Sequence, residues 1–411
     1  MAKIKPFKGY LPNPNMAKII SSPPYDVISS DEARKLVQNN NYSFLRVIKP
    51  EIDFASTKIP NKKTLHQHAA KNLGKFIQLG RLNPDKIPCF YIYKIIMGKH
   101  AQVGVIAGVS IKEYQNNLIR KHELTRPDKE DDRTQHIHFT NANTGPVFLT
   151  YKTNTNISDY INKIIIENAH ISFVSDDSSI HSIWKIDAPK IINSIQNYFK
   201  SVSVLYIADG HHRAASAAKV QRMKQENNPN HTGNEPYNYF LAAIFPHNSI
   251  QILPYNRIIK DLNGLSKTQF ISLIETKFFL KTLSEAELPN KRNIFTMYLD
   301  GKWFKLEAKD CIIPDDVVSR LDASIIQEHI FASILNIHDP RTNNRIEFVG
   351  GIKSLDVIEK KCNSGFTVGF VLYPISIDEL FIVADLGEIM PPKSTWFEPK
   401  LRSGLVVRLL D

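Results

Sequence analysis

The run Tyr206-Ile207-Ala208-Asp209-Gly210-His211-His212-Arg213 gathers an acid, a glycine, two imidazoles and a guanidinium at one point of the chain. A β-branched apolar segment, Val202 to Ile207, leads into it, and an alanine-rich segment of helical composition, Ala214 to Ala218, leaves it. This pattern reads as a buried strand that hands its polar residues to the N-terminus of a helix. Such a terminus offers backbone N–H groups and a positive dipole end, which suit a phosphate. Gly210 permits a positive φ or a close backbone approach. Arg213 can fork two donors onto phosphate or carboxylate oxygens. Asp209 can hold a metal ion or accept a proton. An isolated histidine at a strand end is usually structural, but the company of these two favours a chemical site. Zinc is a weaker reading, because neighbouring histidines on an extended chain point to opposite faces. No H-E-x-x-H or C-x-x-C pattern supports zinc elsewhere, so a phosphate site with a loosely held magnesium ion on Asp209 is preferred.

Other polar concentrations are candidates to join this point. His122, Glu123 and Thr125 follow the apolar pair Leu118 and Ile119, and Pro127 with the acids behind it is good helix-initiation chemistry. Arg133 closes that run. Asn143 lies in Thr140-Asn141-Ala142-Asn143-Thr144-Gly145-Pro146, whose small polar residues suit a turn that presents backbone donors. Pro23-Pro24 forms a stiff segment that would hold Tyr25 and Asp26 in a defined direction. Glu51 sits in Lys49-Pro50-Glu51-Ile52-Asp53; plain surface turn chemistry is the competing account of Tyr25, Asp26 and Glu51. Lys393-Ser394-Thr395 resembles the end of a phosphate loop without its upstream glycines, and can supply a lysine and hydroxyls to an anion. No P-loop, dinucleotide fingerprint or G-x-S-x-G elbow is present.

Elements to position these residues are legible along the chain. Ser29-x-x-Glu32 and Ser266-x-x-Gln269 read as capping boxes opening helices to about Gln38 and Lys277. Tyr42 to Val47 has strand composition, and 64–79 has helical spacing. Cys89–Met97 and Gln102–Ile111 form an expected hairpin around Gly98. Val147 to Tyr151 reads as a strand, 157–167 as a helix, 171–174 as a strand and 188–199 as a helix. The helix after Arg213 should run to about Lys224, and the polar loop 225–236 is a surface connection or a lid. Tyr239–Phe245 and Ile250–Leu253 read as strands, and 294–307 as a hairpin around Asp300-Gly301. Asp322 is expected to cap a long helix through Leu335, before a last strand at Thr367–Tyr373. Strands and helices mix without strict alternation, which favours α+β over a doubly wound sheet.

Composition bounds the rest. The 411 residues, 42% apolar and 23% charged, are those of a globular protein with an ample core. Three scattered cysteines argue against a disulfide framework and for a reducing compartment. The start of the chain lacks the apolar run of a signal peptide, and no stretch is long enough for a membrane span, so a cytoplasmic location is expected. A net charge of +11 invites nucleic acid, but the basic residues are scattered among acids, which argues against it and favours anionic small molecules.

Several of these segments together carry a resemblance. Ser22-Pro23-Pro24-Tyr25-Asp26-Val27-Ile28, Asn41-Tyr42-Ser43-Phe44-Leu45 with Lys49 to Asp53, His122-Glu123-x-Thr-x-Pro with Asp131-Asp132-Arg133, and Asn141-Ala142-Asn143-x-Gly-Pro come first. Ala208 to Arg213, Asp339-Pro340-Arg341-Thr342 and Met390 to Thr395 follow. In order and spacing they resemble the domain of unknown function 1015 family over essentially the whole chain. The Asp-Gly-His-His-Arg core alone is similar to that of free serine kinases of the ParB/sulfiredoxin-like superfamily, which make O-phospho-L-serine from L-serine with ADP or ATP and magnesium. The resemblance implies an α+β fold with a ParB/sulfiredoxin-like core around the motif. It treats 1–411 as one family-wide unit, divisible into a motif-bearing lobe (1–255) and a C-terminal lobe (256–411). It implies nucleotide phosphates on Gly210, His211, His212 and Arg213, with Arg133, Lys393, Ser394 and Thr395 beside them. Asp209, His211, His212, Glu51 and Glu123 are then the catalytic candidates, and Asp26, Glu51 and Glu123 compete for the role of catalytic acid. Tyr25, Asp26, His122, Thr125 and Asn143 are the substrate-binding candidates. The expected activity is transfer of phosphate to a small hydroxyl compound, L-serine first. A nucleotide-binding switch or DNA-associated protein and a metal-dependent phosphoesterase are the alternatives, and self-association stays open.

Overall fold

The computed structural model describes residues 2–153, 155–165 and 168–411. The chain divides into two compact units. The first comprises Met1–Lys121, Thr125–Ile250 and Pro399–Asp411; the second comprises His122–Leu124 and Gln251–Glu398. Each contains its own sheet and its own buried apolar cluster. Among the described residues no helix is long and apolar enough to cross a membrane.

The first unit is organised on a nine-stranded mixed sheet. Its order runs Ile119–Arg120, Leu205–Asp209, Val147–Tyr151, Tyr239–Pro246, His100–Ser110, Phe90–Met97, Ile180–Ile186 and Ile171–Val174, with Ile4–Lys5 beside His100–Ser110. Leu205–Asp209 is parallel to Ile119–Arg120 and antiparallel to Val147–Tyr151. Tyr239–Pro246 is buried along its whole length, as a central strand covered on both faces must be. The expected hairpin forms, with Met97 opposite His100 across Gly98-Lys99. The helices Lys62–Gln78, Pro127–Thr140, Pro189–Phe199 and His211–Glu226 lie near their expected places. The helix expected at 157–167 runs Thr155–Ile164; residues 166 and 167 lie outside the described set.

One expectation fails here. Tyr42 to Val47 is not a strand: Leu45–Ile48 is a single helical turn, followed by a 3-10 turn at Pro50–Asp53. Phe44, Leu45, Val47 and Ile48 all enter one cluster with Ile20, Leu73 and Phe76. Burying four nearly consecutive side chains against one neighbour overrides the preference of Val and Ile for a pleat.

The second unit holds a six-stranded antiparallel sheet. Its order is Phe278–Leu283, Lys302–Ala308, Ile294–Leu299, Val368–Leu372, Tyr255–Ile259 and Ile346–Gly350. Asp300 and Gly301 both take positive φ, as the two-residue turn between Ile294–Leu299 and Lys302–Ala308 requires. Phe270, Phe278, Phe295, Met297, Phe331 and Phe370 fill its core. The long helix expected from Asp322 is short, Asp322–Ile326, and widens into a π-helical turn at Gln327–Ala332. Asp322 is not its cap: Leu321 is the N-cap residue, and the Asp322 side chain turns inward.

Candidate functional site

The strand Leu205–Asp209 breaks register between Ile207 and Asp209. A bulge of this kind re-aims the side chain beyond it. Gly210 follows at φ 96° and ψ 31°, and the helix His211–Glu226 begins at once. Left-handed backbone favours glycine, and a Cβ on Gly210 would also crowd the Arg213 guanidinium, 2.9 Å from its Nε. The turn thus folds the guanidinium of Arg213 back over the helix start. Gly210 brings no side chain to cap the first turn, so the dipole end meets what packs against it.

Arg213 is mostly buried, its side chain 12% exposed, and stands between two carboxylates. Its Nη2 is 3.8 Å from Asp26 Oδ2 and 3.9 Å from Asp209 Oδ1, and Nη1 donates to the Pro146 carbonyl. Its buried Nε has no hydrogen-bond partner among the described residues. Asp209 Oδ2 accepts from Lys400 Nζ at 3.1 Å. Burial alone would favour the neutral acid, but Lys400, Arg213 and His211 outweigh it and hold the Asp209 carboxyl well below the usual carboxylate range. Burial opposes the charge on Arg213 as well, and Asp26 and Asp209 reverse that effect and raise its pKa.

The Arg133 guanidinium sits 4.2 Å from the centre of the Tyr25 ring and pairs with Asp132. Burial, with Asp26 beside it, pushes the Tyr25 phenol up. Asp26 is exposed. Asn143 is buried, and its Oδ1 accepts from the Leu241 N–H. Tyr25, Arg133, His136, Asn143, Arg213 and Ser403 line one open cavity of about 480 Å³, its solvent-facing part included. His211 is buried, whereas His212 Nε2 accepts the backbone N–H of Arg126, which leaves Nδ1 to carry the ring proton. Thr125 donates to Glu130, whose carboxylate also pairs with Lys219 at 2.8 Å. Glu51 Oε1 accepts from Ser30 Oγ at 2.8 Å and faces Lys49 Nζ at 3.3 Å.

His122, Glu123, Lys393, Ser394 and Thr395 belong to the second unit. There the His122 carbonyl accepts the Met390 N–H, and its Nε2 lies 3.4 Å from Thr395 Oγ1. Lys393, at φ 57°, reaches the Tyr255 hydroxyl at 3.4 Å, and Ser394 Oγ donates to the Pro391 carbonyl.

The structure adds Lys400, a residue that motif reading passed over. It sits 191 positions from its partner Asp209, in a Pro399-Lys400-Leu401 context without a local signal. Its position bears on the magnesium expectation. A carboxylate that already faces an ammonium and a guanidinium within 4 Å does not fit a divalent ion, which would meet two positive charges there. Asp209 as arranged here serves Lys400 and Arg213 and not a magnesium ion.

The chain belongs to the family described as protein of unknown function (DUF1015), which it matches over residues 4–324. No curated protein matches it. Among solved structures it is similar to a free serine kinase variant in complex with AMP, at 12% identity over 72% of this chain and 87% of that one, with a TM-score of 0.34. It is also similar to SbnI with a C-terminal truncation from Staphylococcus aureus, at 12% identity, covering 74% and 87%, with a TM-score of 0.39. A conserved hypothetical protein from Pyrococcus furiosus matches at 12% identity, covering 74% and 95%, with a TM-score of 0.35. Likenesses at this level assign no activity.

Proposed function

We propose that this protein is a small-molecule phosphotransferase that takes phosphate from ATP or ADP and gives it to a hydroxyl group, with L-serine the first acceptor to test. The observation that carries this reading is the uncapped helix start at Gly210, over which Arg213 presents a buried, unpartnered Nε beside the Asp209–Lys400 pair. Backbone N–H groups, a positive dipole end and two cations are the parts that receive a transferring phosphoryl group, which needs charge neutralisation and alignment more than covalent chemistry.

In this reading Arg213 and Lys400 contact phosphate oxygens, and Asp209 keeps both cations in place. Asp209 is held too acidic to serve as an effective base. Asp26, exposed and 3.8 Å from Arg213, is the carboxylate we assign to the acceptor's proton. The hydroxyl oxygen attacks phosphorus, the bond to the nucleotide's bridging oxygen breaks, and the hydroxyl proton passes to Asp26. Glu51, held by Ser30 and Lys49, supports that corner rather than the reaction.

Incubation of the chain with L-serine and either nucleotide, followed by phosphorus NMR, tests the proposal. O-phospho-L-serine is the expected product, and Arg213→Ala should slow its formation by a factor of about 10²–10³. A folded protein that forms no phosphorylated product from either donor, and whose melting temperature neither nucleotide shifts, would remove the assignment. A nucleotide-binding switch is the second reading; it predicts the melting shift without product.

A further inference from the structure

The second unit contains an open cavity whose polar groups the phosphotransfer reading does not use. Arg257, Arg292, Asp322, Glu379, Tyr373 and Ser394 are among the residues that line it, and it encloses about 370 Å³ with its solvent-facing part included. Arg257 comes from the strand Tyr255–Ile259, Asp322 opens the short helix Asp322–Ile326, and Glu379 lies in the first turn of Ile377–Asp385. The topology therefore brings both signs of charge to one buried corner from three separate elements.

Asp322 is 9% exposed. Its Oδ1 accepts the Asn293 N–H at 2.9 Å, while its Oδ2 is buried with no hydrogen-bond partner among the described residues. A buried carboxylate oxygen left unsatisfied is costly, and native structures keep such a group mainly where something else completes it. Across the cavity Arg257, 4% exposed, is anchored through the Tyr255 carbonyl at 2.6 Å and the Lys393 carbonyl at 3.2 Å. Arg292 pairs with Glu379 Oε1 at 3.0 Å, and Glu379 Oε2 is spent on the Ser376 cap. Asp322 Oδ2 is thus the carboxylate oxygen left without a partner among the described residues, and the two guanidinium groups are the cations.

We propose that this cavity binds a small zwitterion of the α-amino acid class, its ammonium on Asp322 and its carboxylate on Arg257 and Arg292. A carboxylate guest suits guanidinium donors, and an ammonium guest supplies what the orphan oxygen lacks. The site stands apart from the phosphotransfer reading, since an amino acid can bind here whether or not it is ever phosphorylated.

Burial, with Glu379 nearby, pushes the Asp322 carboxyl up to about 7 against the opposing pull of the Asn293 N–H, Arg292 and Arg257. An ammonium guest binds the ionised form, so affinity should weaken as the pH falls from 8 to 6. The test is calorimetric titration of the full chain, without nucleotide, with each of the proteinogenic L-amino acids in turn. For whichever binds best, the amine without its carboxylate and the hydroxy acid without its ammonium follow; for L-serine these are ethanolamine and glycerate. We expect at least one amino acid to bind and each analogue to bind at least about ten-fold more weakly. Asp322→Asn should weaken binding by a similar factor and abolish its pH dependence. Arg292→Gln, a change at a half-exposed residue, should weaken it without unfolding the chain. Arg213→Ala should leave it intact, which separates failure here from failure of the phosphotransfer site. Binding by no amino acid, equal binding of either analogue, or full affinity in both Asp322→Asn and Arg292→Gln would overturn the proposal.

Discussion

Asp209 in the first unit and Asp322 in the second are the same side chain in opposite electrostatic states. Burial works against the charge of both. Asp209 has Lys400 at 3.1 Å and Arg213 at 3.9 Å, and these cations win, so it stays ionised through the neutral range. Asp322 receives one backbone N–H and has Glu379 as a like-charged neighbour, and desolvation wins. The contrast teaches that burial alone does not set the state of a carboxylate; the sign of the charges within a few ångströms does. A saturated ion-pair cluster suits recognition of a strong anion that competes for its cations. An under-supplied carboxylate suits a guest that brings its own positive charge.

The largest expected effect tests the first half of that contrast. Arg213→Ala should lower phosphotransfer turnover by a factor of about 10²–10³, the cost of one preorganised charge-stabilising donor. Steady-state rates against the parent chain measure it, and an unchanged rate would leave the cluster a purely structural device.

Stability against pH separates the two aspartates next, because their slopes have opposite signs. Asp322 has a raised folded pKa, so its stabilising contribution is full below about pH 4 and is lost as the pH rises through about 7. The local slope approaches about 1.4 kcal/mol per pH unit. Asp322→Asn should flatten that decline and leave the variant more stable than the parent at pH 8, as read from urea unfolding across the pH range. Asp209, with a lowered folded pKa, contributes above about pH 4, and its contribution disappears as the solution becomes more acidic.

Asp209→Asn should therefore cost about 2 kcal/mol at neutral pH, the loss for a mostly buried pair discounted for its partial exposure. A loss below about 0.5 kcal/mol would place the Lys400 pair with ordinary surface ion pairs. The smallest expected effects come from the capping boxes. Ser29→Ala in the first unit and Ser266→Ala in the second should each cost about 1 kcal/mol of unfolding free energy, with neither site altered. Changed ligand binding in either variant would couple a peripheral helix end to a site.

The features read correctly from sequence share one property: their cause lies within a few residues. Both capping boxes, the hairpins at Gly98 and Asp300-Gly301, the Pro127 helix start and the strand-to-helix turn at Gly210 are written in neighbouring side chains. Backbone geometry at a turn or cap is a local matter, so local sequence suffices. Tyr42 to Val47 has the composition of a strand but not its conformation, which is dictated by the apolar cluster it enters. Asp322 fits a helix cap by residue type and position, and only the packing around it shows that it lines a cavity instead.

What tertiary structure alone decided is the company each charge keeps. Asp209 and Arg213 announce themselves as neighbours four residues apart, yet Lys400 and Asp26 reach them from distant parts of the chain. The return of Pro399–Asp411 to the first unit supplies that lysine, and nothing in its local sequence marks it. Helix, strand and turn follow from short-range sterics and hydrogen bonding, which sequence encodes directly. Protonation state and ligand preference follow from Coulomb terms and desolvation between residues that only the completed fold brings within 4 Å.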